Sequence, residues 1–366
     1  MATGIISLDA RIAPKPPRPR IRLLIVDDSA VARAVLSRMI LQNPAFEIVD
    51  AVSSATAALA RLDEIAVDVI LLDIEMPGRT GISALPELIA RSGGARVMIV
   101  SALAEDGAAA TVEALTLGAA DTLAKPGRGS FGGKFAEILC DRLLRLGRSS
   151  PAQAAPRQRA EGGHVQPAPR RMDLGRVECV AIGASTGGLH AIAEFFKHLP
   201  RVFPAPILIT QHLPPVFMPF FARQLEGSTG RRALVVRDGM ALEPATIHIA
   251  PGEAHLCLDR RGDRVSVRLS RIKSVSGCLP SVDPMFASVA AAYGDRAIGV
   301  VLSGMGRDGT IGAADLIAAG AELLAQDVET SVVWGMPGSV AKAGLASGVM
   351  TPAAIARHVG QRAVRA

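Results

Sequence analysis

Aromatic residues are scarce: one Trp, one Tyr and ten Phe make up 3 % of a 366-residue chain. A surface that stacks nucleobases needs such rings in number, so a single-stranded nucleic-acid platform is disfavoured. Cysteine is scarce too. The four cysteines, Cys140, Cys179, Cys257 and Cys278, form no CxxC pair and no compact framework. That argues against a disulfide scaffold, gives no sign of a zinc site and suits a reducing cytoplasm. No apolar run approaches the roughly 18–20 residues that a membrane span needs. The N-terminus has Pro14, Pro16, Pro17 and Pro19 among basic residues where a signal peptide would have an apolar stretch. No internal repeat is visible.

What is present divides the chain. The formal net charge is +6, of which residues 1–20 carry +3 and residues 147–176 carry +4, leaving −1 for everything else. The basic excess lies in segments that bury little, not on a folded face, so it is weak ground for DNA or membrane binding. Residues 1–20 read as a disordered leader. Residues 147–176 are rich in Pro, Ala, Gln and Arg around Gly162-Gly163 and read as a flexible linker. The hydrophobic fraction of 49 % allows a large core, and the length allows two domains, expected over 21–146 and 177–366.

The first domain alternates strand and helix. IRLLIV (21–26), FEIVDAV (46–52), VDVILL (67–72), RVMIV (96–100) and DTLA (121–124) read as strands. AVARAVLSRMIL (30–41) repeats its apolar positions at helical spacing, and FAEILCDRLLRL (135–146) closes the domain with a helix. The pattern predicts a doubly wound parallel sheet of five strands, flavodoxin-like. Functional groups in such sheets collect beyond the carboxyl ends of the strands. Those ends carry Asp27, Asp28, Asp73, Ser101 and Lys125. Three carboxylates repel one another unless a cation sits among them, and hard oxygen donors suit Mg²⁺. Asp28 alone would read as a helix cap, but five polar groups at four strand ends are much harder to read that way.

In the second domain, VECVAIGASTGG (177–188) runs from a buried strand, Val177 to Ile182, through a small-residue turn into a helix over Leu189–Leu199. Gly183-Ala-Ser185-Thr-Gly187 fits the G-x-S-x-G pattern of a serine held on a sharp turn, although any short turn uses Gly and Ser. PILITQH (206–212), RRALVV (231–236), TIHIA (246–250), RAIGVVLSGMG (296–306) and AELLAQ (321–326) supply further strands, for a second doubly wound, mostly parallel α/β domain. Ser185, His212 and Asp308 each fall just past a strand end, so all three can meet in one cleft. Serine needs a base, imidazole can take its proton, and a carboxylate can fix the imidazole. Glycines around Ser185 and Asp308 leave backbone N–H groups open to an oxyanion. His190, one turn into a helix, reads as a surface or packing residue. The order Ser…His…Asp differs from that of α/β-hydrolases. A dinucleotide phosphate loop would need an acidic residue at the end of the next strand, which ends instead in Gln211-His212.

VDDSA, LDIEMPG, SA and the KP pair resemble the receiver domain of two-component signalling over residues 21–126. The resemblance implies that Asp73 accepts a phosphoryl group. It implies Mg²⁺ held by Asp27, Asp28, Asp73 and the Glu75 carbonyl, with Ser101 and Lys125 touching the phosphoryl group. Two departures are Arg79-Thr80-Gly81 after the acceptor, and Thr122 and Leu123 at the usual aromatic switch position. GASTGG, QHLP, PSVDPMF, SGMGRDG and WGMPGSV resemble, in that order, the catalytic domain of the chemotaxis protein-glutamate methylesterase family. That implies a Ser185–His212–Asp308 triad with the N–H groups of Thr186 and Met305 as oxyanion donors. It implies a cytoplasmic monomer that hydrolyses γ-glutamyl methyl esters on chemoreceptors, also deamidates their glutamines, and receives phosphate from the chemotaxis histidine kinase. An adaptor acting by binding alone is the alternative, separable by methanol release.

Overall fold

The computed structural model describes residues 19–102, 105–125, 133–149 and 177–364. The expected leader, except its last two residues, and the expected linker, except its first three, lie outside the described residues.

The N-terminal sheet contains β1 (Ile21–Val26), β2 (Phe46–Val52), β3 (Val69–Leu72), β4 (Arg96–Ala102) and β5 (Asp121–Lys125). Their order is β2-β1-β3-β4-β5, every pair parallel. The middle strands are apolar throughout because helices cover both faces of the sheet; all four residues of β3 are buried. The helices are α1 (Ala30–Leu41), α2 (Ala55–Leu62), α3 (Gly81–Arg91), α4 (Glu105–Thr116) and α5 (Gly133–Ser149). Ser29, Ser54 and Thr80 cap the first three, each side chain accepting a backbone N–H that has no partner within the helix. The unusual Arg79-Thr80 pair has a local role here: Thr80 starts α3, and Arg79 pairs with Glu87 at 2.7 Å.

The C-terminal sheet has seven parallel strands in the order β14-β13-β12-β6-β7-β9-β8. They are β6 (Cys179–Ala184), β7 (Ile207–Gln211), β8 (Ala233–Val235), β9 (Ile247–Ile249), β12 (Ala297–Val301), β13 (Glu322–Gln326) and β14 (Gly348–Met350). From central β6 the chain adds β7, then the edge strand β8, then β9 between them, and returns to add β12, β13 and β14 on the other side. The direction reverses between β6 and β12, which is where such sheets open a crevice. Helices α6 (Gly188–His198), α7 (Met218–Thr229) and α11 (Pro352–Val364) cover one face, with Phe195, Phe203 and Phe221 buried there. Helices α8 (Val282–Tyr293), α9 (Thr310–Ala318) and α10 (Met336–Lys342) cover the other around Phe286. Each fully buried Phe contributes about 1.5–3 kcal/mol.

Three features depart from the sequence pattern. The strand expected to end at Ile182 runs on through Gly183 and Ala184, which keep pairing with the neighbouring strands, and glycine is needed at 183 because a Cβ there would lie 2.5 Å from Val282 Cγ1. An antiparallel hairpin, β10 (His255–Arg261) and β11 (Arg264–Ser270), forms its own two-stranded sheet. Helix α8 follows it; nearly every side chain of α8 is apolar or small, so it carries no amphipathic stripe to find.

The two halves touch. Helix α4 packs on α6, on α7 and on the 3₁₀ turn Pro215–Phe217. Gly187 N–H donates to the Ala120 carbonyl (2.9 Å), and Arg96 Nη2 donates to the Ser331 carbonyl (3.3 Å). His190, expected at the surface or in packing, uses Nδ1 to reach the Thr116 carbonyl at 3.1 Å. Among the described residues no helix is long and apolar enough to cross a membrane.

Candidate active site

Strand β6 ends at Ala184, and Ser185-Thr186-Gly187 turns the chain into α6. Gly187 adopts φ 74°, and a Cβ there would meet Val332 Cβ at 2.4 Å and Ser303 Oγ at 2.8 Å. Both the backbone conformation and the lack of space demand glycine. The turn after β12 comes equally close: a Cβ on Gly304 would lie 2.4 Å from Met336 Sδ and 3.0 Å from Ser185 Cβ.

These close approaches fix which way two peptides face. Gln211 Nε2 donates to the Ser185 carbonyl at 2.9 Å. A trans peptide sets C=O and N–H on opposite sides, so the Thr186 N–H is turned away from Gln211. Likewise the Gly304 carbonyl accepts from Gly335 N–H (3.0 Å) and Met336 N–H (2.9 Å), which turns the Met305 N–H the other way. Thr186 and Met305 both line the cavity in front of Ser185. Both residues that the resemblance named thus border the cavity that Ser185 lines.

His212 follows β7 directly. Its Nε2 lies 2.7 Å from Asp308 Oδ2, in the loop after β12. Nδ1 is thus the ring nitrogen left for a second partner. Asp308 is buried and accepts two more hydrogen bonds, from Ser281 Oγ (2.6 Å) and the Val282 N–H (2.7 Å). Burial opposes its charge, but the bonds from His212, Ser281 and Val282 outweigh it and hold the carboxyl well below the usual range. Burial likewise opposes the imidazolium of His212, yet hydrogen bonding and charge from Asp308 and Cys278 raise it to about 9. Neighbouring Asp283 goes the opposite way, pushed up to about 6 by burial and the Asp308 charge.

Ser185, His212 and Asp308 line one cavity of about 1300 Å³. Its opposite wall belongs to the N-terminal half and includes Thr122, Leu123, Arg142 and Arg145. Arg145 Nη1 reaches Met305 Sδ at 2.9 Å.

Sequence reasoning missed the support. Ser281 Oγ fixes Asp308, and His255 Nδ1 accepts the Ser281 N–H at 2.9 Å while its Nε2 reaches the Ile272 carbonyl at 2.9 Å. Gln211 sits beside His212 in the QHLP motif, and Ser281 lies within PSVDPMF, so both were in view without a reason to assign them. Cys278 gave no signal at all.

The second cluster lies at the carboxyl ends of β1, β3 and β5. Oxygens of Asp27, Asp28 and Asp73 lie within 4.8 Å of one another. Lys125 Nζ bridges Asp27 Oδ2 (2.8 Å) and Asp73 Oδ2 (2.6 Å). Burial raises the Asp73 carboxyl above its ordinary value and the Asp27 charge adds to that, while Lys125 opposes both. Glu75 N–H points to Asp73 Oδ1 at 3.4 Å. Ser101 Oγ is buried without a hydrogen-bond partner among the described residues. Three hard carboxylates around one point fit Mg²⁺.

Fold and clusters together define a receiver-type α/β domain joined to a second α/β domain whose cleft holds a hydrolase-like group of Ser, His and Asp. Residues 23–130 match the response regulator receiver domain and residues 180–359 match CheB methylesterase. Over 349 residues the chain is 41 % identical to the protein-glutamate methylesterase/protein-glutamine glutaminase 2 of Caulobacter vibrioides, covering 93 % of this chain and 99 % of that one. It is 38 % identical over 364 residues to the corresponding protein 1 of Rhodospirillum rubrum, covering 93 % and 94 %. The crystal structure of the Thermotoga maritima CheB methylesterase catalytic domain is 35 % identical, with a TM-score of 0.49, covering 51 % of this chain and 98 % of that one. The chain belongs to the CheB methylesterase family, with its receiver and methylesterase parts both present.

Proposed function

We propose that the chain hydrolyses γ-glutamyl methyl esters on chemoreceptors to glutamate and methanol, deamidates receptor glutamines by the same route, and is switched by phosphorylation of its receiver. The relatives named above carry both activities in their names. The observation that carries the reading is the 2.7 Å pair between His212 Nε2 and Asp308, in the same cavity as Ser185.

Ser185 Oγ attacks the ester carbonyl carbon, and its proton passes to His212 Nδ1, the nitrogen that Asp308 does not hold. Asp308, fixed by Ser281 and Val282, keeps the imidazole oriented and stabilises its charged form. The oxyanion settles between the Thr186 and Met305 N–H groups. Collapse expels methanol, protonated by His212, and leaves an acyl-Ser185. Water, deprotonated by the same imidazole, then releases glutamate. With a glutamine side chain the leaving group is ammonia.

In the receiver part, 21–146, Asp73 accepts the phosphoryl group from the chemotaxis histidine kinase. Mg²⁺, held by Asp27, Asp28 and Asp73 with the Glu75 carbonyl, would screen the charge that builds up there. Lys125 and Ser101 would hold the phosphoryl oxygens. The enzyme part, 177–366, is joined through the linker 147–176, and the protein works in the cytoplasm. The receiver covers the cleft until phosphorylation releases it.

The test is methanol release from methylated receptor membranes. Wild type should release methanol, faster with phosphodonor, and Ser185→Ala should lose at least a thousandfold. Full release by Ser185→Ala would remove the serine from the mechanism, and none by wild type would favour an adaptor.

A further inference from the structure

The mechanism leaves Cys278 unused, yet it is the third member of a close group. A ring nitrogen of His212, Sγ of Cys278 and a carboxylate oxygen of Asp308 all lie within 4.8 Å of one another. They come from three separate segments: the end of β7, the loop before α8 and the loop after β12. Tetrahedral Zn²⁺, with bonds of about 2.0–2.3 Å, sets its ligand atoms about 3.3–3.8 Å apart. Admitting an ion therefore requires the His212 Nε2–Asp308 Oδ2 pair, 2.7 Å apart, to open by about 0.6–1.1 Å, while Cys278 Sγ closes by at most about 1.5 Å.

The group is also supported. Ser281 and Val282 orient the Asp308 carboxylate, as described above. The Cys278 loop is tied to the same serine by a chain of hydroxyls. Ser274 Oγ donates to the Cys278 carbonyl (3.0 Å), Ser276 Oγ accepts the Cys278 N–H (3.3 Å), and Ser276 Oγ lies 3.3 Å from Ser281 Oγ. Ligands held in this way by an outer layer of hydrogen bonds are what tight metal sites require. Cys278 and His212 are half-buried and face the cavity, so an ion can enter and a water can complete the fourth position.

We propose that His212, Cys278 and Asp308 form an inhibitory site for a thiophilic divalent cation of the Zn²⁺ class. The mixed N, S and O donors select such an ion over Mg²⁺, which belongs with the all-oxygen cluster at Asp73. Binding takes the Cys278 sulfur as a thiolate ligand and draws His212 off Asp308. The enzyme then lacks a base and is off, whatever the state of the receiver. The inhibition rests on the esterase reading; the metal site does not.

The experiment separates the two. The full-length protein, kept in excess Mg²⁺, is titrated with Co²⁺ as a visible stand-in and then with Zn²⁺. One Co²⁺ per chain should produce a thiolate-to-cobalt charge-transfer band, which Zn²⁺ should abolish. Cys278→Ser and Cys278→Ala should both lack the band, and Cys140→Ser should keep it. In parallel, Zn²⁺ should lower methanol release at least tenfold, with recovery in EDTA. The Zn²⁺ concentration for half-inhibition, each variant against its own uninhibited rate, should rise at least tenfold in Cys278→Ser. No band in wild type, or an undiminished band in folded Cys278→Ser or Cys278→Ala, overturns the site. A band without inhibition overturns the inhibitory role. No methanol release under any condition leaves the band to decide the site and counts against the esterase reading alone.

Discussion

The backbone N–H of Gly187, two residues after Ser185, donates to the carbonyl of Ala120 at 2.9 Å, just before β5 of the receiver. The serine turn is therefore bonded to the receiver domain. One turn further along α6, His190 Nδ1 reaches the Thr116 carbonyl at 3.1 Å. These two bonds and the Arg145–Met305 contact join the receiver to the segments that line the cavity beside Ser185.

Weakening that junction should raise basal activity. His190→Ala removes one interdomain hydrogen bond worth about 0.5–1.5 kcal/mol, so the unphosphorylated rate should rise roughly two- to tenfold. If phosphorylation releases the receiver as proposed, the phosphorylated rate should stay where it is. Methanol release with and without phosphodonor measures both. An unchanged basal rate would mean that α4 does not hold the cleft shut.

A fragment spanning Gly175–Ala366 should exceed the unphosphorylated whole protein and ignore phosphodonor. A phosphoryl group adds roughly two negative charges, and a tenfold rise in a small open population needs only about 1.4 kcal/mol of differential free energy. A fragment no faster than the unphosphorylated chain would replace release from occlusion with direct activation by the receiver.

Asp73→Asn should abolish acid-labile, Mg²⁺-dependent labelling by a small-molecule phosphodonor while basal esterase activity persists. Lys125 neutralises both Asp27 and Asp73, so Lys125→Ala should leave Mg²⁺ binding intact or tighter while uncoupling phosphorylation from methanol release. Label persisting on Asp73→Asn would move the acceptor, with Asp28 the first position to check.

The receiver's elements were legible in order and type, with ends shifted by up to three residues in β3, β4, β5 and α5. IRLLIV, AVARAVLSRMIL and FEIVDAV became β1, α1 and β2 with the expected ends, because buried parallel strands and capped helices follow from local pattern. Strand ends also brought His212 and Asp308 together before any coordinates, since the edge rule needs only topology. The support around them was not legible. Ser281 reaches Asp308 across 27 positions, and His255 reaches Ser281 across 26. A buried Ser or His in a loop carries no periodic signal, and its partner is set by how the β10–β11 hairpin and α8 fold back. The covering of the cleft by α4 and β5 is a domain contact, invisible to local pattern for the same reason.

That support has a measurable consequence. Ser281→Ala removes a hydrogen bond to a buried carboxylate, a type worth about 1.5–3 kcal/mol. The loss should appear in kcat, by about one to two decades, with KM little changed, because Ser281 positions Asp308 and touches no substrate. Ser281→Thr should restore part of it. A rise in KM at constant kcat would instead place Ser281 in substrate binding.

The last prediction concerns pH. The imidazolium of His212, raised to about 9, must lose its proton before it can act as a base. The esterase rate at limiting substrate should therefore climb with pH around a midpoint well above the roughly 6.5 of free imidazole. Asp308→Asn removes one of the two partners that raise it and leaves Cys278, so the midpoint of the residual rate should fall. Stability runs the other way. A raised imidazole contributes fully below about pH 6.5 and loses its contribution as the pH rises through 9. The lowered Asp308 carboxyl contributes above about pH 3.9 and loses that as the pH falls through its depressed folded value. The pair thus stabilises the fold most between about pH 4 and 6.5. In that window the gap in unfolding free energy between wild type and Asp308→Asn should be widest, narrowing by pH 9 as the enzyme becomes more active. A rate midpoint at or below 6.5 would mean that Asp308 does not hold the imidazolium, and with it would go the role assigned to Asp308.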